Sequence, residues 1–442
     1  MIDLAIMGGT VVPMVENGTF FSGDVLVDNG RICEIRRHQA TGVQARKTLD
    51  ARGALVIPGL IQCHVHVVQS LLRHQADGLE LLDWLQKRTW PYEAALDGDG
   101  IQGAAELGIA ELLCGGTTTV LDFGTTHDHD RVFQVAETLG IRMISGQTHM
   151  DYGEDVPPAL LEERDRSLSQ AEALGRQWHG AANGRLGYAV TPRFALSCTR
   201  ELLEDSVALA RSNGWMLHTH ASENIAEVEE ARRRFGLSNI DYLDSVGLTG
   251  PDVILAHGVH LSNPEMERLA TTQTRICHCP GANLKLASGI ADVPAMLSRG
   301  IQVGLGADGA PCNNRLSIFH EMALAGTLHT LRHGPTALDA WSVLAMATRE
   351  GARALHLSDR IGTLEPGKAA DITIVGLEAW SLQPEGDPAS RLVYGATAGD
   401  VRHVVVDGSP VVENGVILTG SGQDIREHAR EAWHATRQRM ED

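Results

Sequence analysis

No apolar run in this chain approaches the roughly 20 residues needed to cross a bilayer. The opening residues, MIDLAIMGGTVVP, lack the basic segment that begins a secretory leader. A membrane-embedded or exported protein is therefore not expected, and the sequon at Asn17 carries no weight. Positive charge is also short. Lys and Arg number 37 against 56 Asp and Glu, a formal net charge of −19, which argues against nucleic acid or an anionic membrane surface as a partner. Nor is there a disulfide framework: the seven cysteines are odd in number and scattered. The one close pair, Cys277 and Cys279, lacks the loop spacing of a zinc knuckle and reads as two buried strand thiols. A reducing, cytoplasmic setting fits these absences. Internal repeats and low-complexity segments are missing too.

What is present is a chain of 442 residues, 43% apolar, long enough for one large barrel or two domains with a substantial core. Its first ~55 residues run in short alternating stretches separated by glycine and Asn-Gly turns, which read as hairpins. The same grammar returns near the end in ADITIVG and DVRHVVVDGSPVVENGVIL. Between them, short apolar runs alternate with helical periodicity: ALVIPGLIQCHVH (54–66), GTTTVLDFG (116–124), RMISGQTHM (142–150), RLGYAVTPRF (185–194), WMLHTH (215–220), VILAHG (253–258), RICHC (275–279) and IQVGLGAD (301–308). Eight strands with helices between them predict an α/β fold, a (β/α)8 barrel with its chemistry at the C-terminal ends of the strands. The expected division is a composite β-sandwich from residues 1–56 and 371–422, a catalytic barrel over 57–370, and a polar amphipathic helix over 423–442.

Chemically able side chains fall where such a barrel needs them. His64 and His66 close the first run, two apart and hence on one side of a strand. Arg193 closes the fourth and His220 the fifth, with Glu223 three residues on; His257 closes the sixth and Asp308 the eighth. One histidine at a strand end is usually a satisfied structural residue, whereas several strand ends that each supply a ligand or proton carrier point to a metal. Three neutral imidazoles and a carboxylate, with a position left for water, suit Zn²⁺ or Fe²⁺. His64, His66, His220 and Asp308 are assigned as ligands, and the ion supplies hydroxide near neutral pH. Glu223 is placed to carry a proton from that water to a substrate ring nitrogen, although a carboxylate favoured by a helix N-terminus would look the same. His257 would hydrogen-bond the attacking oxygen, and Asp308 would pass the second proton to the leaving group. His218, on the same face as His220, is expected a layer deeper in a core role.

The chain resembles the amidohydrolase superfamily, specifically its cytosine deaminase-like aminohydrolase branch. The resemblance runs nearly end to end through PGLIQCHVHVVQSLLR, GGTTTVLDFG, LHTHASE, LAHGVHL, CHCPGANLKLASGIADV, VGLGADGAPCNN and IGTLEPGKAADITIV. It implies a hydrolase of C–N bonds in cyclic amidines, with the metal ligands His64, His66, His220 and Asp308, the proton-shuttling Glu223 and the strand-six His257. Binuclear members bridge their ions with a carboxylated lysine. YAVTPRF offers none, so one divalent ion per subunit is expected, zinc first and iron second. A homodimer or larger assembly is expected from the resemblance alone.

Within that branch, three stretches resemble guanine deaminases. VTPRFALSC carries Arg193 and Phe194, which in those enzymes bind the purine carbonyl and pack beside the ring. HVHVVQS carries Gln69, where a glutamine meets the guanine edge, and ELLDWLQKRTWPYEAAL carries Trp84, Pro91 and Glu93. A flat oxo-amino ring asks for such a cation, amide and aromatic wall; the plainer alternative is Arg193 paired with a surface acid and Phe194 in the core. The expected reaction is hydrolytic deamination of a guanine-like purine with release of ammonia. One stretch departs. GAPCNNRLSIFHEMALAG, after Asp308, resembles enzymes that deaminate S-adenosylhomocysteine and related adenosines, which also use a glutamate at the Glu93 position for ribose hydroxyls. SGQTHMDYGED, however, lacks the arginine those enzymes place after strand three. Deamination of S-adenosylhomocysteine or 5′-deoxyadenosine, or hydrolysis of an s-triazine, is the alternative.

Other signals carry less. GLGADG matches a dinucleotide fingerprint but ends the last barrel run instead of opening a first βαβ unit. ARRRF (231–235) reads as a solvated basic face, and His320 in HEMAL misses the spacing of a zinc helix. Asn283 and Lys285 either organise the site or reach the ligand, while His278 reads as structural. No ligand or proton carrier is lost, which disfavours an inert scaffold.

Overall fold

The structure, a computed structural model, describes residues 1–37, 43–153 and 155–441. Eight parallel strands close into a barrel. They are Leu60–His66, Thr117–Asp122, Arg142–Ser145 with Thr148–His149, Leu186–Pro192, Met216–Ala221, Val253–His257, Arg275–His278, and Val303–Leu305 with Asp308–Gly309. Every residue of the first, second and sixth is buried, as expected of strands covered by the barrel lumen on one face and by helices on the other. The eighth strand is split, and the split closes the barrel. Val303–Leu305 pairs with the seventh strand, whereas Asp308 and Gly309 pair with Val65 and His66 of the first. Closure thus delivers Asp308 to the strand that carries His64 and His66. Gly306 permits the crossing, because a Cβ there would lie 2.5 Å from the His64 carbonyl oxygen.

Helices follow the strands with capping that fixes where catalytic loops end. Asn224 caps Ile225–Phe235, and Glu227 completes a capping box by accepting from the chain just before the helix. Glu223 is thereby held one residue outside a rigid element.

Both ends of the chain form a second layer. Strands Ile2–Val11, Phe21–Asp28, Arg31–Arg37, Ala45–Asp50 and Ala54–Pro58 join Ile372–Gly376, Val401–Val406, Ser409–Glu413 and Val416–Ile417 in one nine-stranded sheet. Ile372 faces Pro58 and Gly376 faces Ala54, so the two ends meet strand to strand. The sheet has its own apolar cluster, including Leu4, Val25, Ile32, Val56, Ile372 and Val405. Two details differ from the expected division. Ile57 and Pro58 stay in this sheet, and the segment around Leu382, Leu392 and Val393 packs into the barrel's apolar cluster. The terminal helix, Gly422–Glu441, lies against Gly98–Cys114 with Ile425, Ala429 and Ala432 buried, and His428 Nδ1 sits 2.8 Å from Glu106 Oε2. Among the described residues, no helix is long and apolar enough to cross a membrane.

A buried ion pair joins the two layers. Arg142 Nε and Nη2 donate to the two carboxylate oxygens of Asp371 at 2.8 and 2.9 Å, and Nη2 reaches Asp407 Oδ1 at 3.2 Å. Asp371 and Arg142 are both almost wholly buried. Removing one partner strands the other charge in a low-dielectric site. Arg142→Met is expected to cost about 3–5 kcal/mol of unfolding free energy, read from urea denaturation. A loss below about 1 kcal/mol would mean water or another cation compensates Asp371.

Candidate metal centre and catalytic cavity

The C-terminal ends of the strands bring five expected residues around one point. His64 Nε2 lies 3.2 Å and His66 Nε2 3.4 Å from Asp308 Oδ1, and His66 Nε2 lies 3.2 Å from His220 Nε2. His257 Nε2 is 3.4 Å from Glu223 Oε2 and 3.9 Å from Asp308 Oδ2. The donor atoms of His64, His66 and His220 all lie within 4.8 Å of one another, as do those of His64, His257 and Asp308. His257 and Asp308 adopt φ values of +76° and +62°, a left-handed backbone that costs energy for any residue but glycine and that recurs at functional sites.

The hydrogen bonds show why this cluster suits a cation. His220 Nδ1 donates to the Arg193 carbonyl at 2.7 Å, so the neutral ring turns a bare Nε2 lone pair inward. That lone pair faces His66 Nε2, and His64 Nε2 is buried without a hydrogen-bond partner. Burial holds His64, His66 and His220 well below the ordinary imidazole value, so they stay neutral. Neutral nitrogens converging beside a carboxylate are the donor set of a catalytic Zn²⁺ or Fe²⁺ site. Phe123 packs 4.4 Å from the His220 ring and 5.3 Å from that of His66, which limits their rotation.

Glu223 faces the same point. Burial, then Asp308 and Glu227, push its carboxyl well above the ordinary value, and Oε1 has no partner. Its backbone is fixed by Glu227 Oε2, which accepts from Glu223 N at 2.7 Å, while Glu227 Oε1 accepts from Asn239 Nδ2 at 2.8 Å.

The adjoining cavity is lined by Gln69, Trp84, Arg193, Phe194 and Glu223 together with His66. Glu93 stands behind them and binds two of them. Its Oε2 accepts from Arg193 Nη1 at 2.5 Å, and its Oε1 accepts from Arg193 Nη2 at 3.3 Å and from Gln69 Nε2 at 2.9 Å. Arg193 therefore pairs with an acid, as the plainer reading has it, but the acid is the buried Glu93 and not a surface group. Phe194 lies at the cavity wall and pairs with His220 through its backbone.

The sequence leaves the partners of several neighbours open. Asn283 Oδ1 lies 2.8 Å from His257 Nδ1 and so holds that ring. Lys285 instead ties its loop to the Pro311 carbonyl and to Asp77. The Cys312 thiol donates to Asp308 Oδ2 at 3.2 Å, a contact whose only trace in the sequence is its place four residues after the aspartate. Cys277 and Cys279 are buried thiols with Sγ atoms 3.8 Å apart, as expected. ARRRF presents Arg232 and Arg233 to solvent, as expected, and departs from that reading only at Arg234. Arg234 turns inward over the Tyr152 ring at 3.7 Å and donates to the Leu196 carbonyl.

A model of the amidohydrolase family matches residues 55–411. The chain is 37% identical over 403 residues to the 5′-deoxyadenosine deaminase of Methanothermobacter thermautotrophicus, covering 91% of this chain and 92% of that one. It is 38% identical over 437 residues to a 5-methylthioadenosine/S-adenosylhomocysteine deaminase of Symbiobacterium thermophilum, covering 98% of each. Among solved structures it superposes on an adenosine deaminase from Xanthomonas campestris with bound zinc at a TM-score of 0.92, with 30% identity and 99% of each chain covered. The Escherichia coli guanine deaminase superposes at 0.84, with 29% identity over 92% of this chain and 99% of that one.

Proposed function

Because this chain belongs to the amidohydrolase family and is a hydrolase of C–N bonds in cyclic amidines, we propose that it deaminates an adenosine-type nucleoside. The 5′ position of that substrate is unsubstituted or carries a thioether, and ammonia is released. The carrying observation is the commitment of Arg193 and Gln69 to Glu93. A guanine-like ring would need that guanidinium for its carbonyl and that amide for its edge. Adenine has no carbonyl to offer, so it makes no demand on a guanidinium already held by Glu93. The relatives that span nearly the whole chain are named for adenosine derivatives, which favours this reading over the guanine-like one expected from the sequence.

His64, His66, His220 and Asp308 would hold one divalent ion, zinc by analogy with the Xanthomonas neighbour. That ion would lower the pKa of water and supply the nucleophile near neutral pH. Trp84 and Phe194 wall the cavity that takes the base. Glu223 carries one proton of the attacking water to the ring nitrogen beside the reacting carbon. His257 Nε2, 3.4 Å from Glu223, hydrogen-bonds the attacking oxygen. Asp308 takes the second proton and returns it to the amine, which leaves as ammonia while the ring carbon becomes a carbonyl.

A panel of 5′-deoxyadenosine, 5′-methylthioadenosine, S-adenosylhomocysteine and guanine, followed by released ammonia, tests the assignment. At least one nucleoside is expected to exceed guanine in kcat/KM by about 100-fold or more, since a mismatched buried polar group is heavily penalised. The reverse order would restore the guanine-like reading.

A further inference from the structure

We propose that His218 is a positioning residue that fixes the tautomer of His64, so that His64 presents a bare Nε2 lone pair to the metal. The proposal rests on the metal reading of the site and adds a residue to it.

His218 lies two residues before His220 on strand Met216–Ala221 and is 0% exposed. Such a histidine is expected to be core filling. Its ring nitrogens are instead both engaged. Nδ1 is 2.9 Å from the Ile254 carbonyl oxygen, and Nε2 is 2.8 Å from His64 Nδ1. Ile254 is the residue paired with His218 across the fifth and sixth strands, so the first contact is set by sheet register.

The order of protons follows from what each atom can do. A carbonyl oxygen only accepts, so His218 Nδ1 carries a hydrogen. The ring is wholly enclosed and neither nitrogen meets a carboxylate, so it is neutral and Nε2 is bare. A bare Nε2 at 2.8 Å needs a donor, and His64 Nδ1 supplies it. A neutral His64 with its hydrogen on Nδ1 has its lone pair on Nε2, the atom 3.2 Å from Asp308 Oδ1 that has no other partner. A backbone carbonyl on the sixth strand thus decides which nitrogen of a first-strand imidazole can bind a cation. His220 needs no such relay, because its Nδ1 reaches the Arg193 carbonyl directly. Phe123, with its ring 5.3 Å from His218 and 6.0 Å from His64, braces both rings.

Zn²⁺ affinity, measured by competition with a chromogenic chelator on the full chain, tests this. His218→Met removes the acceptor and is expected to weaken Zn²⁺ binding by about 10–100-fold, the usual cost of losing a partner behind a ligand. His218→Gln places an amide oxygen where Nε2 stood and is expected to retain most of the affinity. A generic packing role predicts the opposite, since Met fills the space as well as Gln does and adds no buried amide. Long-range ¹H–¹⁵N spectra of the wild-type histidines read the tautomers directly and do not depend on any variant folding. Protons on Nδ1 of both His64 and His218 are expected. A His64 proton on Nε2, or a folded His218→Met that binds Zn²⁺ as tightly as wild type, would overturn the proposal and leave the metal reading intact. A wild-type chain with no affinity for Zn²⁺ would overturn both.

Discussion

Glu223→Gln is expected to lower kcat by about 10²–10⁴-fold, the range for removing a positioned proton carrier, with the fold and the metal content unchanged. The amide is nearly isosteric and can still hydrogen-bond, so what it loses is the capacity to take a proton and give it up. Burial, then the neighbouring acids Asp308 and Glu227, raise the Glu223 carboxyl well above its ordinary value, so it holds a proton more readily than an exposed carboxylate. One oxygen has no partner and the other is 3.4 Å from His257 Nε2. Steady-state kinetics with the best nucleoside of the panel separates the possibilities. A rise in KM at constant kcat would assign Glu223 to binding alone.

The second large effect is expected on removing the divalent cation. Nitrogens of three buried imidazoles and the Asp308 carboxylate then crowd one point without a cation among them. Turnover should fall to background, because the remaining groups move protons but do not by themselves generate a nucleophile near neutral pH. Stability should fall as well. At free Zn²⁺ a hundredfold above its Kd, binding to the folded state alone contributes about 2.7 kcal/mol. The melting temperature of chelated protein is therefore expected to drop and to recover on readdition.

The barrel was legible because parallel strands buried on both faces leave short apolar runs, and Met216–Ala221 and Val253–His257 fall where such runs were read. The interruptions were not legible. RMISGQTHM reads as one strand, but the chain steps at Gly146, where a Cβ would lie 1.8 Å from the Ala189 carbonyl oxygen, and pairing resumes at Thr148. IQVGLGAD likewise divides around Gly306. Both breaks arise from close backbone approaches between strands that are distant in sequence.

The candidate site shows the same limit. His64, His66, His220, His257 and Asp308 stand at strand ends, so period and position were enough to gather them. The partners of Glu93 could not be read in that way. Gln69 and Arg193 lie 24 and 100 residues from it, and nothing local says that one carboxylate engages both. His218 was assigned to the core because residue type and face say nothing about the partners of each ring nitrogen. ARRRF reads as a solvated patch as a whole, and nothing local singles out Arg234, because the Tyr152 ring it covers comes from the loop after strand three.

The most direct test is a titration of metal-free protein with Zn²⁺, following ammonia release from 5′-deoxyadenosine against bound metal determined by elemental analysis. Activity should rise linearly and level off at about one ion per chain, the stoichiometry of a site with one open position. Full turnover by chain verified to be metal-free, or one tightly bound ion with no turnover of any amino-heterocycle in the panel, would contradict the account.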